Sequence, residues 1–146
     1  MDMSAIEKCY LDLKKNPDPN LLPLVQDLTN PSPGLGWANT ERESFSARGP
    51  ADVVMALALV HHLAIGNNVP FEDIGYYFAS LGNWLIIEFV PKEDSQVKRL
   101  LQVREDVFDR YTQPDFERAF SSWFDLIDKA PIPGTLRTLY LFKTRG

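Results

Sequence analysis

The chain has 146 residues, 45% of them apolar and 24% charged, which is the make-up of one globular domain rather than of a disordered or multidomain chain. A formal net charge of -5 argues against a surface built to gather phosphates, so nucleic acid is disfavoured as an obligatory partner. The longest apolar runs, Val53 to Leu59 and Trp84 to Val90, fall far short of the ~20 residues of a membrane-spanning helix. Asp2 follows Met1 where a signal peptide would carry basic residues, so the sequence predicts a cytoplasmic address.

In chain order, Ile6, Tyr10 and Leu13 recur at helical spacing behind a Ser4 cap. Cys9 among them reads as a small buried helix residue. The Asn16-Pro17-Asp18-Pro19-Asn20 turn ends that helix. Leu21 to Leu28 reads as a short buried strand that delivers Asp27 at its carboxyl end. From Thr29 to Pro50 runs a loop rich in Pro, Gly and Ser, long enough to suggest a lid, with Trp37 and Phe45 as its aromatic anchors. Asp52 to Leu59 is continuously apolar, without the alternation of a half-solvated strand, and is expected at the centre of a sheet.

A short helix is expected over Val60 to Ile65, carrying His61 and His62, and stopping at Gly66-Asn67-Asn68. Ile74, Tyr77, Phe78 and Leu81 then place an apolar face on a helix over Phe71 to Leu81. Trp84 to Val90 is a second buried strand, interrupted only by Glu88, whose charge requires a place on the rim or a partner such as Lys92 or Arg137. Asp94 or Ser95 caps a helix lined by Val97, Leu100, Leu101 and Val103. Thr112-Gln113-Pro114-Asp115 has the form of a capping box and opens a further helix. Phe124 to Ile127 and Thr138 to Phe142, separated by Pro131-Ile132-Pro133-Gly134, read as an antiparallel hairpin.

These elements predict a single α/β domain over 1–146, with helices on both sheet faces and an antiparallel edge. Ligands of such sheets sit beyond the carboxyl ends of the strands, which selects Asp27, the Ala58 to His62 turn and Glu88 to Lys92 as one rim. His61 and His62 suit a general base or an acceptor-orienting role, and equally a pair with one ring packed under the rim and the other solvated. Adjacent histidines without an acid or thiol one helical turn away do not predict a metal site.

The run Ala51-Asp52-Val53-Val54-Met55-Ala56-Leu57-Ala58-Leu59-Val60-His61-His62-Leu63 resembles the fourth strand and following turn of class I S-adenosylmethionine-dependent methyltransferases. In that frame Leu22 to Leu28 is similar to the third strand, Trp84 to Val90 to the fifth, and the closing pair to the sixth and seventh. More narrowly, Asp27-Leu28-Thr29-Asn30-Pro31-Ser32-Pro33-Gly34-Leu35-Gly36-Trp37, Glu88-Phe89-Val90-Pro91-Lys92 and Arg137-Thr138-Leu139-Tyr140-Leu141 resemble bacterial nodulation-protein-like methyltransferases.

The resemblance implies S-adenosylmethionine as cofactor and an unknown methyl acceptor as substrate. It places Asp27 against the adenine amino group, Leu28 against the ring, and Ala56 and Leu57 beside the methionine part. Asp2 would match an acid that holds the ribose hydroxyls. The family's first strand and Gly-rich turn have no counterpart, since Gly34-Leu35-Gly36 follows a proline turn and precedes no convincing helix. The expected architecture is therefore a partial Rossmann-like sheet, the carboxyl-terminal portion of a methyltransferase domain. The alternative is a catalytically inactive remnant or an interaction module that forms a homodimer through unpaired strands.

Overall fold

A computed structural model describes residues 3–146. The chain divides into two compact units, Met1–Phe45 and Ser46–Gly146. In the first, helix α1 spans Met3–Lys15 and ends on Lys14 and Lys15, whose charge suits its carboxyl-terminal dipole. None of its residues is buried, and Cys9 is half-buried rather than enclosed.

Leu21 to Leu28 is not a strand. Pro23 withholds a donor, no neighbouring strand among the described residues offers a ladder, and Leu21, Leu22, Leu24 and Val25 stay exposed. The loop that follows is tied by a bridge between Leu35 and Arg42 and by a single turn of 3-10 helix at Trp37–Asn39. Gly36 enters that turn at φ 85°, a conformation glycine adopts without strain. Trp37 is 85% exposed and anchors nothing to a core.

The second unit holds one four-stranded sheet in the order β1-β2-β4-β3. Strand β1 (Ala51–Ala56) runs parallel to β2 (Gly82–Phe89), with Val53 opposite Trp84 and Met55 opposite Ile86. Strand β4 (Thr138–Thr144) lies antiparallel to both β2 and β3 (Phe124–Pro131). The closing hairpin therefore forms as expected, but β4 sits inside the sheet and β3 takes the edge. A register shift between Leu126 and Asp128 carries β3 beyond Ile127 to Pro131.

Strand β1 is the opposite edge, not the centre, and ends at Ala56 rather than at Leu59. Among the described residues no strand pairs with its outer side, and Val53 is 48% and Met55 63% exposed. At the start of β2, Gly82 leaves room for β1, because a Cβ there would stand 2.8 Å from the Ala51 carbonyl oxygen.

Helices α2 (Phe71–Leu81) and α4 (Gln113–Phe120) cover one sheet face. The capping box supplies α4 with its start, Thr112 accepting from the Asp115 amide at 3.2 Å. Phe71, Phe116 and Phe120 project onto Phe89, Tyr140, Phe142 and Phe124, with ring centroids 4.3 to 6.4 Å apart along the series. This aromatic layer is the core, and each fully buried ring contributes about 1.5–3 kcal/mol by leaving water. The other face carries Trp84, Ile86, Leu139 and Leu141, all half-exposed, beside Val53 and Met55. Among the described residues no helix is long and apolar enough to cross a membrane.

Candidate functional site

The site of interest is the rim where β1 and β2 end. Beyond Ala56 the chain turns through Ala58, whose φ of 48° lies in the left-handed region that an alanine seldom occupies. That strain is held by one long-range bond: the Ala58 amide donates to Glu88 Oε2 at 2.7 Å. Glu88 is only 6% exposed, at the end of β2 on the face away from α2 and α4. Its second oxygen accepts from the Arg137 guanidinium at 2.9 Å.

Arg137 comes from the turn between β3 and β4 and also grips Asp94 with two bonds, Nε to Oδ2 at 2.7 Å and Nη2 to Oδ1 at 3.1 Å. Asp94 in turn caps helix α3 (Ser95–Leu101), accepting from the Gln96 amide at 2.8 Å. One guanidinium thus fastens a turn, a strand end and a helix start, in the bidentate geometry that makes arginine suited to carboxylates. The Arg137 bonds hold the Asp94 carboxyl below its ordinary range, and the two carboxylates raise the guanidinium above its own.

His61 follows within this turn and is 1% exposed. Neither ring nitrogen has a hydrogen-bond partner. Burial lowers its pKa to about 4, with the neighbouring His62 and Arg137 acting in the same direction. The ring is therefore neutral at pH 7, with one nitrogen able to accept and the other to donate. His62 lies beside it at 4.2 Å between ring centroids, the rings tilted by 37°, but is exposed to solvent. The chain then continues as a turn of π-helix over His62–Gly66 that buries Leu63, Ala64 and Ile65. Short π segments of this kind recur at functional sites.

Ala56, with 1% exposure, is closed off, whereas Leu57 is half in solvent at 52%. The Ala58 to His62 turn and the Glu88 to Lys92 segment share the rim, as the strand-end rule predicts. Asp27 belongs to the first unit and is exposed. There Asp27 Oδ1 accepts from the Thr29 amide at 2.9 Å and from the Thr29 hydroxyl at 2.7 Å, an Asx turn that leaves Oδ2 outside the pair. Those two bonds keep the Asp27 carboxyl ionised to lower pH than usual. Leu28 is half-buried, and Asp2 lies outside the described residues.

Two features of this region have no local signature in the sequence. Asp94 reads as a helix cap, and nothing local marks its second role as partner to Arg137. A cavity of about 630 Å³ opens beside the π turn, floored by Phe71, Phe108 and Tyr111 and flanked by Arg104 and Arg110. Both cations are occupied: Arg104 donates to the Ile65 carbonyl and to Asn68 Oδ1, and Arg110 reaches Glu72 at 3.4 Å. The Tyr111 hydroxyl fixes that wall by donating to the Val90 carbonyl at 2.7 Å. Among the described residues no group of three or more His, Cys, Asp or Glu side chains could hold a metal ion.

The chain is similar to nodulation protein NoeA of Rhizobium meliloti (strain 1021), with 44% identity over 142 residues. The match covers 97% of this chain and 30% of that protein, so the chain spans less than a third of its relative's length. This likeness supports a NoeA-like family. No protein-family model matches the chain, and no solved structure gives a significant match.

Proposed function

We propose that this chain carries the carboxyl-terminal half of an S-adenosylmethionine-dependent methyltransferase sheet of NoeA-like type, acting on an unidentified acceptor. The observation that carries the reading is the rim itself. Two parallel neighbouring strands end side by side, and the turn leaving the first is locked in a left-handed conformation by an acid at the end of the second. The strands expected as fourth and fifth are the adjacent parallel pair, and those expected as sixth and seventh form the antiparallel pair. In this reading the outer oxygen of Asp27 receives the adenine amino group. Of the two residues expected beside the methionine part, Leu57 is open to a ligand and Ala56 is closed off. Asp2 would take the ribose hydroxyls and Leu28 the ring.

The chain's own groups meet only part of what the cofactor requires. Gly34 and Gly36 do not form the phosphate-type cradle of a Gly-rich turn, because Leu35 between them is bridged to Arg42 and only three residues of 3-10 helix follow. The residues at the rim are suited to binding and orienting. His61 and His62 can position an acceptor or take its proton, the first from a neutral buried ring. The adjoining cavity offers apolar walls for an acceptor.

Titration calorimetry with S-adenosylmethionine tests the reading. Heats at micromolar ligand that vanish in Asp27→Ala support it, and silence at millimolar ligand overturns cofactor binding by this chain. A second reading, a non-catalytic assembly module of the same fold, is favoured by the lack of a Gly-rich cradle among the described residues together with the open edge of β1.

A further inference from the structure

We propose that the cavity beside the π turn binds a flat aromatic molecule bearing a single carboxylate, its ring resting on Phe71, Phe108 and Tyr111 and its carboxylate held by Arg110. On the reading that places the methyl acceptor in this cavity, on which this assignment rests, it gives the acceptor a chemical class.

The cavity has a built wall. The segment between α3 and α4 has no regular structure, yet side-chain bonds tie it down at three points. Arg104 donates to the Ile65 carbonyl and to Asn68 Oδ1, and Lys92 Nζ donates to the two Asp106 oxygens at 2.8 and 2.9 Å. The Tyr111 hydroxyl donates to the Val90 carbonyl at 2.7 Å. These ties fix the loop around a space of about 630 Å³, within the range of about 300–1,000 Å³ typical of small-molecule sites. Its surfaces are flat. The rings of Phe71 and Tyr111 lie 5.2 Å apart, and the Arg104 guanidinium sits over the Phe108 ring at 4.7 Å. Ring faces and a guanidinium plane favour a flat aromatic body over a branched aliphatic one.

The charges select the second half of the ligand. Arg104, Arg110, Glu72 and Asp109 line the cavity and sum to zero. Arg104 is committed to Ile65 and Asn68, which leaves Arg110 as the cation able to change partner. Its bond to Glu72 is long, 3.4 Å, and both side chains are more than half exposed, so the pair contributes little. The other acid within its field, Asp115, is already held by Thr112 and Arg118. A ligand carboxylate can take the guanidinium with two parallel bonds and displace Glu72 into solvent at small cost. A second negative charge, as on a phosphate monoester, would meet Glu72 and Asp109 without a free cation, so the cavity suits a monoanion.

The test is calorimetric titration of the full chain with 2-naphthoate. One-site binding is expected, at least about tenfold tighter than that of 2-naphthamide, which keeps the rings and loses the charge. It should exceed cyclohexanecarboxylate, which keeps the charge and loses the flat ring, by a similar factor of about ten. Arg110→Gln should abolish the preference for the acid over the amide. Glu72→Gln should tighten naphthoate severalfold by freeing Arg110, an effect that adsorption to exposed apolar surface does not produce. Both side chains are mostly in solvent, so each variant keeps the fold. Amide shifts on binding should centre on Phe71, Arg104 and Phe108. No binding at millimolar naphthoate, equal binding of either analogue, indifference to Arg110→Gln, weaker or unchanged binding in Glu72→Gln, or shifts centred elsewhere would each overturn the proposal. The titration contains no S-adenosylmethionine, so its failure and the failure of cofactor binding are separate results.

Discussion

Asp27 and Glu88 are both acids that close an apolar run, yet the chain treats them in opposite ways. Asp27 makes its contacts within three residues of itself, to Gln26, Thr29 and Asn30, and remains in solvent. Glu88 reaches back 30 positions to the Ala58 amide and forward 49 to Arg137, and is buried. The first is a turn whose bonds are all local. The second exists only once β1, β2 and the β3–β4 turn have met. A locally satisfied, exposed acid is free to serve a ligand, whereas a buried acid paired across the fold is committed to holding the backbone in place. The contrast separates an acid left to solvent from one that holds the strand-end turn in place.

The largest way to break this contrast is Arg137→Ala. It strands the buried carboxylate of Glu88 and the half-buried one of Asp94, and should cost about 3 kcal/mol in urea unfolding. A loss below about 1 kcal/mol would show that the network is not what holds the rim. Next in size is the pH dependence of stability. A histidine with a folded pKa of about 4 against an ordinary 6.5 binds fewer protons when folded, so stability rises with pH through that window and is fully present above it. Acidifying from pH 6.5 to 4 should remove about 3 kcal/mol, and His61→Leu should flatten that part of the profile. Asp94, with its carboxyl pKa depressed by Arg137, adds a further loss only below its ordinary 3.8. The smallest effect belongs to Asp27→Ala, which should shift unfolding by no more than about 0.5 kcal/mol while deciding the calorimetric response to S-adenosylmethionine. A large destabilisation there would put Asp27 in the same structural class as Glu88.

Much of the second unit is legible in the sequence because its signals are local or obligatory. The spacing of Ile74 and Phe78 marks α2, Asp94 and Thr112 mark helix starts, and the apolar run around Glu88 marks β2. The need of a buried acid for a cation names Lys92 and Arg137 from residue types alone, and the fold selects Arg137 while Lys92 pairs with Asp106. What depends on neighbours is not legible. Leu21 to Leu28 and Val53 to Leu59 are similar runs of residues, yet the first finds no ladder and the second finds one on a single side. Continuous apolarity reads as central burial, and an unguarded edge has the same composition. The residues Asp128, Lys129 and Ala130 have weak strand preference and join β3 only because β4 pairs with them. At the site, the left-handed Ala58 carries no signature in residue type, and the union of Asp94 with Arg137 spans 43 positions.

The placement of β4 between β2 and β3 also governs how the sheet can assemble. Among the described residues β3 pairs with β4 alone, and β4 stands between it and β2. Until Thr138 to Thr144 is in place, the only pairing available is the parallel one between β1 and β2, which must close a loop of some two dozen residues with little local reward. Deleting the last strand would therefore leave the β1–β2 pair and strip β3 of its ladder.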